Sequence, residues 1–525
     1  MRPEPLDPVR LEVLHHLLSA FCEEAGALLQ RSARSPNIRE RRDFSVALFD
    51  GRGRLCAQAA HIPVHLGSAA DAVQAASEAL AWRPGDVAIL NDPYAGGTHL
   101  PDITMVRPVF SARSGEPIWF LVNRAHHADI GGAAPGSMAI SRDLHGEGLV
   151  IPPIRMRDRG RLERDVLRLF ASNVRGPSER VFDLMAQESC LGLFERRLCD
   201  LLRDWGGETV ERGASALMDY TERLGRAGLK ELEPGTFEAV DRMEDDGAGN
   251  EDLEVRLRLS VTRRRLVFDW TGTADQAAGG INCNRSVVLA ACAFVLRCLC
   301  PDRLPVNDGI FRLFDVRTRR GSLLDPKPPA AVAGGNVETS QRLVDTAFSA
   351  LRMALPGRIP AASAGTMSNL SLGGQAASGS FSIYETLPGG AGASPDGPGA
   401  SALQTHMTNT RNTPVEDLER RFPLRVEALT IRRGSGGRGR WRGGDGLRKT
   451  LVALCPMTLS FLAERHKLAP EGSAGGGPGR RGALRVRPKS ARSPGRKLPS
   501  KCTIELRPGD AVIAETPGGG GFGSA

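Results

Sequence analysis

Aromatic side chains are scarce in this chain, making up 5% of its 525 residues with three tyrosines among them. Few faces are left on which nucleic-acid bases could stack. The formal net charge of +9 invites the same partner, because clustered Lys and Arg neutralise phosphates. The arginines, however, are scattered among 60 acidic residues and form no basic stripe, so no nucleic-acid partner is expected. Long apolar runs are lacking too. The most hydrophobic early stretch, Leu11 to Leu29, carries His15, His16, Glu23 and Glu24, which a bilayer would penalise. Met1 to Pro8 has no apolar core of the kind a secretory signal needs. A cytoplasmic protein without a membrane span is expected. The ten cysteines contain no CxxC pair or other zinc-type spacing, and a chain this long has no need of disulfide staples. Reduced thiols are the simplest account. Also absent are the phosphate-cradling GxxxxGK followed by Ser or Thr and the dinucleotide-binding GxGxxG, so nucleotide chemistry is expected on another chain. No repeat of solenoid or propeller period occurs.

What is present reads as an α+β, multi-domain protein. Hydrophobic residues at 41% and charged residues at 25% are close to globular averages, and the length suits about three domains. The expected divisions are an α+β metal-binding region over 1–230, a β-rich mixed region over 231–420, and a glycine-rich β region over 421–525. Helical spacing of apolar residues predicts helices from Leu11 to Gln30, from Ser68 to Trp82 and through most of Arg164 to Leu229. The run Phe44 to Phe49, closed by Asp50-Gly51-Arg52-Gly53, predicts a hairpin returning at Leu55 to Ala57. Further strands are predicted at Val87 to Leu90, at Ile103 to Phe110 and at Trp119 to Asn123, the last two bracketing a turn at Arg113-Ser114-Gly115-Glu116. Leu253 to Leu259 alternates as a strand should. The glycines around 436–439 and 518–521 are read as tight turns, where positive φ favours glycine.

Chemistry concentrates early. Six of the ten histidines lie between His61 and His145, interleaved with aspartates. The segment Asn91-Asp92-Pro93-Tyr94-Ala95-Gly96-Gly97-Thr98-His99-Leu100-Pro101-Asp102 follows a predicted strand and delivers His99 and Asp102 from a glycine-rich loop that can aim both at one ion. Arg124-Ala125-His126-His127-Ala128-Asp129-Ile130-Gly131-Gly132 adds two imidazoles and a carboxylate. Imidazole with carboxylate suits Mn²⁺, Fe²⁺ or Zn²⁺, and two His with one carboxylate leave coordination positions open, the mark of a catalytic site. The bland alternative is that His99 and Asp102 cap turns and the His pair satisfies carbonyls. If His126 and His127 share a strand they face opposite ways, so one of them reaches the ion, and His126 is favoured. Asp43 is a further ligand, an acceptor that orients a ligating imidazole, or a plain surface carboxylate. His61 and His65 flank Pro63 in a segment read as extended, and packing is favoured over a second ion or proton transfer.

At these residues the chain resembles the hydantoinase B/oxoprolinase family. The resemblance rests on Asp43-Phe44-Ser45, His61-Ile62-Pro63-Val64-His65-Leu66-Gly67, Asn91 to Asp102 and Arg124 to Gly132. Downstream it continues through Asp269-Trp270-Thr271-Gly272-Thr273, Gly335-Asn336-Val337-Glu338-Thr339, Tyr384-Glu385-Thr386, Thr405-His406-Met407-Thr408-Asn409-Thr410 and Thr516 to Gly523, in that family's order. It implies a subunit that works with a hydantoinase A-type ATP-binding subunit in a hetero-oligomer. The partner uses ATP to phosphorylate the amide oxygen of a small cyclic amide, and the B-type chain adds water at a divalent metal site. The resemblance carries metal ligation to His99, Asp102 and one of His126 or His127, and the reading of the residues favours His126 and adds Asp43 as a fourth candidate. Asp129 or His127 is the candidate general base. Relatives among acetone and acetophenone carboxylases divide the work similarly, so a carboxylase subunit is an alternative expectation, and a non-catalytic scaffold for the A-type partner is another.

Overall fold

A computed structural model describes residues 7–525 apart from 60, 112–114, 137, 263–264, 378 and 492–494. The sequence reading at Met1 to Leu6 and at Arg113-Ser114 lies outside the described residues.

The chain opens with a long helix, Pro8–Ser32, and then lays down seven strands: β1 Phe44–Asp50, β2 Leu55–Gln58, β3 Val87–Leu90, β4 Asp102–Phe110, β5 Pro117–His126, β6 Ile154–Asp158 and β7 Arg161–Leu162. They form one antiparallel sheet in the order β2-β1-β5-β4-β3-β6-β7. Helices cover both faces. Pro8–Ser32 and Pro177–Trp205 bury Leu14, Leu18, Leu184 and Phe194 in a core with Val46 and Leu48, while Ala69–Ala79 buries Ala72 and Val73 with Ala47 and Phe49. This is why Phe44 to Phe49 reads as a continuous apolar run, since a strand buried on both faces loses its polar alternation. The predicted helix at Ser68 to Trp82 closes at Ala79. The helical stretch expected over Arg164 to Leu229 is three helices, Arg164–Asn173, Pro177–Trp205 and Gly207–Gly228.

A second sheet follows, in the order β11-β10-β9-β8, from β8 Gly235–Asp245, β9 Glu251–Val261, β10 Leu266–Asp269 and β11 Phe314–Arg317. Helices Arg285–Leu299 and Ser340–Ala354 share its core. The remainder is two sheets sharing one apolar core. One has the order β13-β12-β16-β19 and the other β14-β15-β20-β17-β18, built from β12 Asn369–Ala376, β13 Gly379–Thr386, β14 Leu424–Arg432, β15 Gly446–Ala453, β16 Met457–Leu462, β17 Ala483–Arg487, β18 Arg496–Leu498, β19 Lys501–Leu506 and β20 Ala511–Glu515. The first of these sheets draws strands from both sides of the division drawn at 420/421. All ten cysteines are free, and among the described residues no helix is long and apolar enough to cross a membrane.

The glycine-rich segments correct the sequence reading. Among the described residues of 435–446 and 518–521 no glycine has positive φ. Apart from Gly446, which opens β15, these glycines lie outside the sheets in segments that hydrogen-bond to one another, with Gly437 N on Gly519 O at 2.8 Å, Gly519 N on Gly444 O at 2.9 Å, Gly444 N on Ala391 O at 2.8 Å and Gly521 N on Gly477 O at 2.9 Å. A Cβ on Gly518, Gly519 or Gly520 would fall 2.1, 2.0 or 1.9 Å from the carbonyls of Ser435, Ala391 and Glu471, and one on Gly521 2.1 Å from that of Arg438. Three successive residues thus meet three different segments and the fourth returns to the first, the three-residue period of a polyproline II-type helix. Glycine is required here for close approach of backbone to backbone.

One buried acid links the first sheet's loops to the middle of the chain. Glu147, fully buried, accepts from Ala333 N at 2.8 Å with Oε1, while its Oε2 has no partner. Burial pushes its carboxyl up to about 8 from an ordinary 4.5. The folded chain therefore holds a proton there across a range in which the unfolded chain has released it. The stabilisation is complete below about pH 4.5 and is lost as pH rises towards 8. In Glu147→Gln, which does not titrate, the fall in melting temperature between pH 5.5 and pH 8 is expected to shrink relative to wild type. The expected difference at pH 8 is a few kcal/mol, since a tenfold change in proton affinity is worth about 1.4 kcal/mol. Parallel melting-temperature profiles for the two proteins would remove the linkage.

Candidate metal centre

The loop between β3 and β4 is pinned before it reaches His99. Asn91 donates to Leu100 O and Leu149 O and accepts from Ile151 N. Asn284 grips the other side through Gly97 O and Thr98 O at 3.1 and 2.9 Å. A Cβ at Gly97 would lie 2.3 Å from Asn91 O, so the second glycine of the pair lets the loop fold back on its own start. Buried Arg124 ties the same loop to the sheet by donating to Gly96 O, Thr104 Oγ1 and Ser68 Oγ.

From this loop His99 and Asp102 emerge on one side, and Asp102 opens β4 directly opposite His126 at the end of β5. Residues opposite each other on antiparallel strands share a face. One ligand atom each of His99, Asp102 and His126 lies within 4.8 Å of those of the other two, and the three residues are 0%, 0% and 3% exposed. His127, one residue on, faces away: its Nε2 meets Gln187 Oε1 at 2.9 Å and its ring lies edge-on to Phe170. Asp129 is fully buried and its carboxylate accepts from Gly131 N, Gly136 N, Arg175 N and Arg175 Nη1. The structure therefore sets the expected general-base pair apart from the trio, because four donors already saturate Asp129 and strand alternation turns His127 to the other face. Asp43 comes close through its backbone, its carbonyl accepting from His126 N at 3.0 Å. Its carboxylate lies 3.6 Å from the Arg41 guanidinium and outside the trio.

Sequence reading undervalued one residue and missed others. His65 Nε2 is 3.1 Å from Asp102 Oδ2 and its Nδ1 is 2.9 Å from Ser45 Oγ, so it joins the centre rather than merely packing. Pro63–His65 forms a 3₁₀ turn, not the extended segment expected, and this turn separates His65 from His61. His61 accepts from Val46 N, and burial lowers it to about 4. Thr98 Oγ1 donates to Asp102 Oδ2 at 2.8 Å, Asn336 Nδ2 lies 3.1 Å from His99 Nε2, Asn37 Nδ2 lies 3.2 Å from His126 Nδ1, and Tyr384 stacks on His126 with ring centroids 4.8 Å apart. Asn336 and Tyr384 sat within recognised motifs, but neither side chain announces a metal centre.

The charge states suit ligation. Burial, reinforced by neighbouring His99, holds His126 well below the usual imidazole range, leaving it neutral with a lone pair to give. Burial opposes ionisation of Asp102, yet His99 and His65 outweigh it and keep the carboxyl well below its ordinary value. Asp43 goes the other way, raised by burial against the pull of Arg41. Three buried atoms, His99 Nδ1, Asp102 Oδ1 and His126 Nε2, have no hydrogen-bond partner. A lone buried polar atom left unpaired costs about 1–3 kcal/mol, and each side chain of this buried trio carries one. Two imidazoles and one carboxylate fit a divalent transition ion and leave room for further ligands.

The chain belongs to the hydantoinase B/oxoprolinase family, whose pattern it matches over residues 7–525. It is 36% identical to the 5-oxoprolinase of Dictyostelium discoideum over 99% of its own length and 40% of that protein's, so it spans about two fifths of that relative. It is 30% identical to the B component of a putative D-/L-hydantoinase of Pseudomonas sp. strain NS671, covering 99% of this chain and 90% of that one. Among solved structures, the ATP-dependent caprolactamase of Pseudomonas jessenii superposes with a TM-score of 0.91 at 26% identity, over 99% and 92% of the two chains. An acetone carboxylase shares the fold at a TM-score of 0.91 and 19% identity, over 98% and 76%.

Proposed function

We propose that this chain is the metal-bearing subunit of a two-component enzyme that opens small cyclic amides, with ATP consumed on a hydantoinase A-type partner. The observation that carries the reading is the buried trio of His99, Asp102 and His126 with an unpartnered atom on each, in a chain whose relatives include a 5-oxoprolinase and the B component of a putative hydantoinase. An amide resists water because its nitrogen donates into the carbonyl, and phosphorylation of the oxygen by the partner relieves that. In this reading His99, Asp102 and His126 hold the ion, which when bound supplies Lewis acidity and an activated water. The chain's own residues do the rest. Thr98 and His65 fix Asp102, Asn37 and Tyr384 orient His126, and Asn336 bears on His99. Burial of all of them excludes bulk water, so each electrostatic contact is felt more strongly than it would be in solvent. The glycine loop, clamped by Arg124 and Asn284, keeps His99 and Asp102 in register with β5.

The purified chain is expected to retain about one equivalent of Mn²⁺, Fe²⁺ or Zn²⁺, measured by elemental analysis. Alone it neither binds ATP, by calorimetry, nor opens a lactam, and ring opening appears on mixing with the A-type subunit. A chain that comes free of metal and gains nothing from added Mn²⁺, Fe²⁺ or Zn²⁺ would falsify the metal assignment. Tight ATP binding by the lone chain would overturn the division of labour.

A further inference from the structure

Two imidazoles of the trio are approached from one short element far away in sequence. Gly335–Thr339 is a single π-helical turn at the start of the helix Ser340–Ala354. Such single turns, which widen the helix by one residue, recur at functional sites. Asn336 in this turn places Nδ2 at 3.1 Å from His99 Nε2. Two residues on, fully buried Glu338 accepts with Oε1 from Met367 N at 3.0 Å and from Asn369 Nδ2 at 2.7 Å. The Asn369 amide is fully used. Its Nδ2 also donates to Leu462 O at 2.8 Å, and its Oδ1 accepts from Tyr384 OH at 2.7 Å. Tyr384 lies nearly parallel to His126, at 14°. Among the described residues no guanidinium or ammonium is hydrogen-bonded to Glu338, and Lys501 donates to Glu464 instead.

We infer that Glu338, Asn369 and Tyr384 are positioning residues of the metal centre, a hydrogen-bonded chain that fixes the plane of the His126 ring while Asn336 of the same turn bears on His99. The inference rests on the metal reading above and adds which residues set the ligand geometry. A ring held only at its edge by Asn37 is free to rotate about χ2. The face of Tyr384 blocks that rotation, provided Tyr384 cannot itself move. The bond from Tyr384 OH to Asn369 holds it, and Asn369 has no alternative arrangement while Glu338 and Leu462 O both claim its amide protons. The turn packs closely against the neighbouring backbone, where a Cβ on Gly335 would lie 1.7 Å from Asn282 O. Partners that orient a metal ligand typically change metal affinity by about 10–100-fold when lost.

The test titrates Co²⁺ into the metal-stripped chain and reads both affinity and visible absorption, which reports ligand geometry. Tyr384→Leu, Asn369→Ala and Glu338→Ala are each expected to weaken Co²⁺ binding about 10–100-fold and to shift the spectrum, while Glu338→Gln, which keeps the accepting Oε1, stays within about threefold of wild type. Leu451→Ala, in the core shared by the two C-terminal sheets, serves as the comparison for general loss of stability. It is expected to lower the melting temperature and to leave Co²⁺ affinity and spectrum alone. If wild type binds Co²⁺ and the three variants bind it with the same affinity and spectrum, the positioning role falls and the metal reading stands. A Glu338→Gln loss as deep as that of Glu338→Ala also overturns it, because charge and not the hydrogen-bonded chain would then be responsible. A wild-type chain that takes up no Co²⁺ removes both readings together.

Discussion

His99→Ala and Asp102→Ala, each assembled with the A-type subunit, are expected to cut ring-opened product by about 10²–10³-fold, the usual cost of deleting a principal electrostatic group at a reacting centre. ATP turnover is expected to persist at a measurable rate, because activation of the amide belongs to the partner. The two activities come apart only if the steps are divided between the chains as proposed. Each variant also loses a structural contact. Asp102 is the shared partner of His65, His99 and Thr98, so Asp102→Ala takes one partner from each of three buried groups, and some loss of stability accompanies the loss of chemistry. Asp102→Asn keeps the size and an acceptor oxygen while removing the charge, and it is expected to assemble with the partner, by co-elution, and still fail to open the ring. Near wild-type product from correctly assembled variants would place ring opening elsewhere in the complex.

How far this centre was legible in the sequence follows from what local pattern encodes. His99 and Asp102 could be paired because they share one short loop, and strand alternation alone was enough to separate His126 from His127. That Asp102 sits opposite His126 depends on the register of β4 against β5, and register is set by the whole sheet rather than by the six residues around either side chain. His65 was named but placed with the packing residues, since Pro63 was read as enforcing an extended segment. The turn that carries His65 to Asp102 uses the fixed φ of that same proline to start a 3₁₀ turn. Asn336 lies 237 residues from His99, and an asparagine in Gly-Asn-Val-Glu-Thr carries no local mark of its distant partner. Asp129 misled for the opposite reason. A carboxylate beside two histidines looks catalytic in one dimension, but its loop needs an acceptor for Gly131, Gly136 and Arg175, and that need uses the side chain up.

The fold shows the same division. Continuous apolar runs revealed strands buried on both faces, and helical spacing revealed the long helices, because burial writes itself into periodicity. The glycine-rich tracts have no side-chain pattern to read, and both available explanations, positive φ and close approach, call for the same residue. Only the backbone decides between them, and here it decides for close approach.

That decision has a measurable consequence at Gly519. Its N–H donates to Gly444 O, its carbonyl accepts from Gly437 N, and an added Cβ would stand 2.0 Å from Ala391 O, 2.3 Å from Ala391 C and 2.7 Å from Gly392 N. Every obstructing atom is backbone, so no side-chain rotation relieves the clash, and the segments must separate. Overpacking a core usually costs about 1–3 kcal/mol. Gly519→Ala should exceed that, because moving the segment strains two array hydrogen bonds worth about 0.5–1.5 kcal/mol each. A marked drop in melting temperature and soluble yield is expected. Gly397→Ala provides the contrast, since a Cβ there meets nothing within 4 Å and its effect should stay within about 0.5 kcal/mol, as at an ordinary surface position. Under the turn reading, in which glycine serves only for its freedom in φ, Gly519 has no special claim, its φ lying outside the positive region, and both substitutions would be mild. Equal melting temperatures for the two variants would overturn close approach as the reason for glycine at this position, whereas a large drop confined to Gly519→Ala identifies the packed backbone array as what holds the C-terminal tracts together.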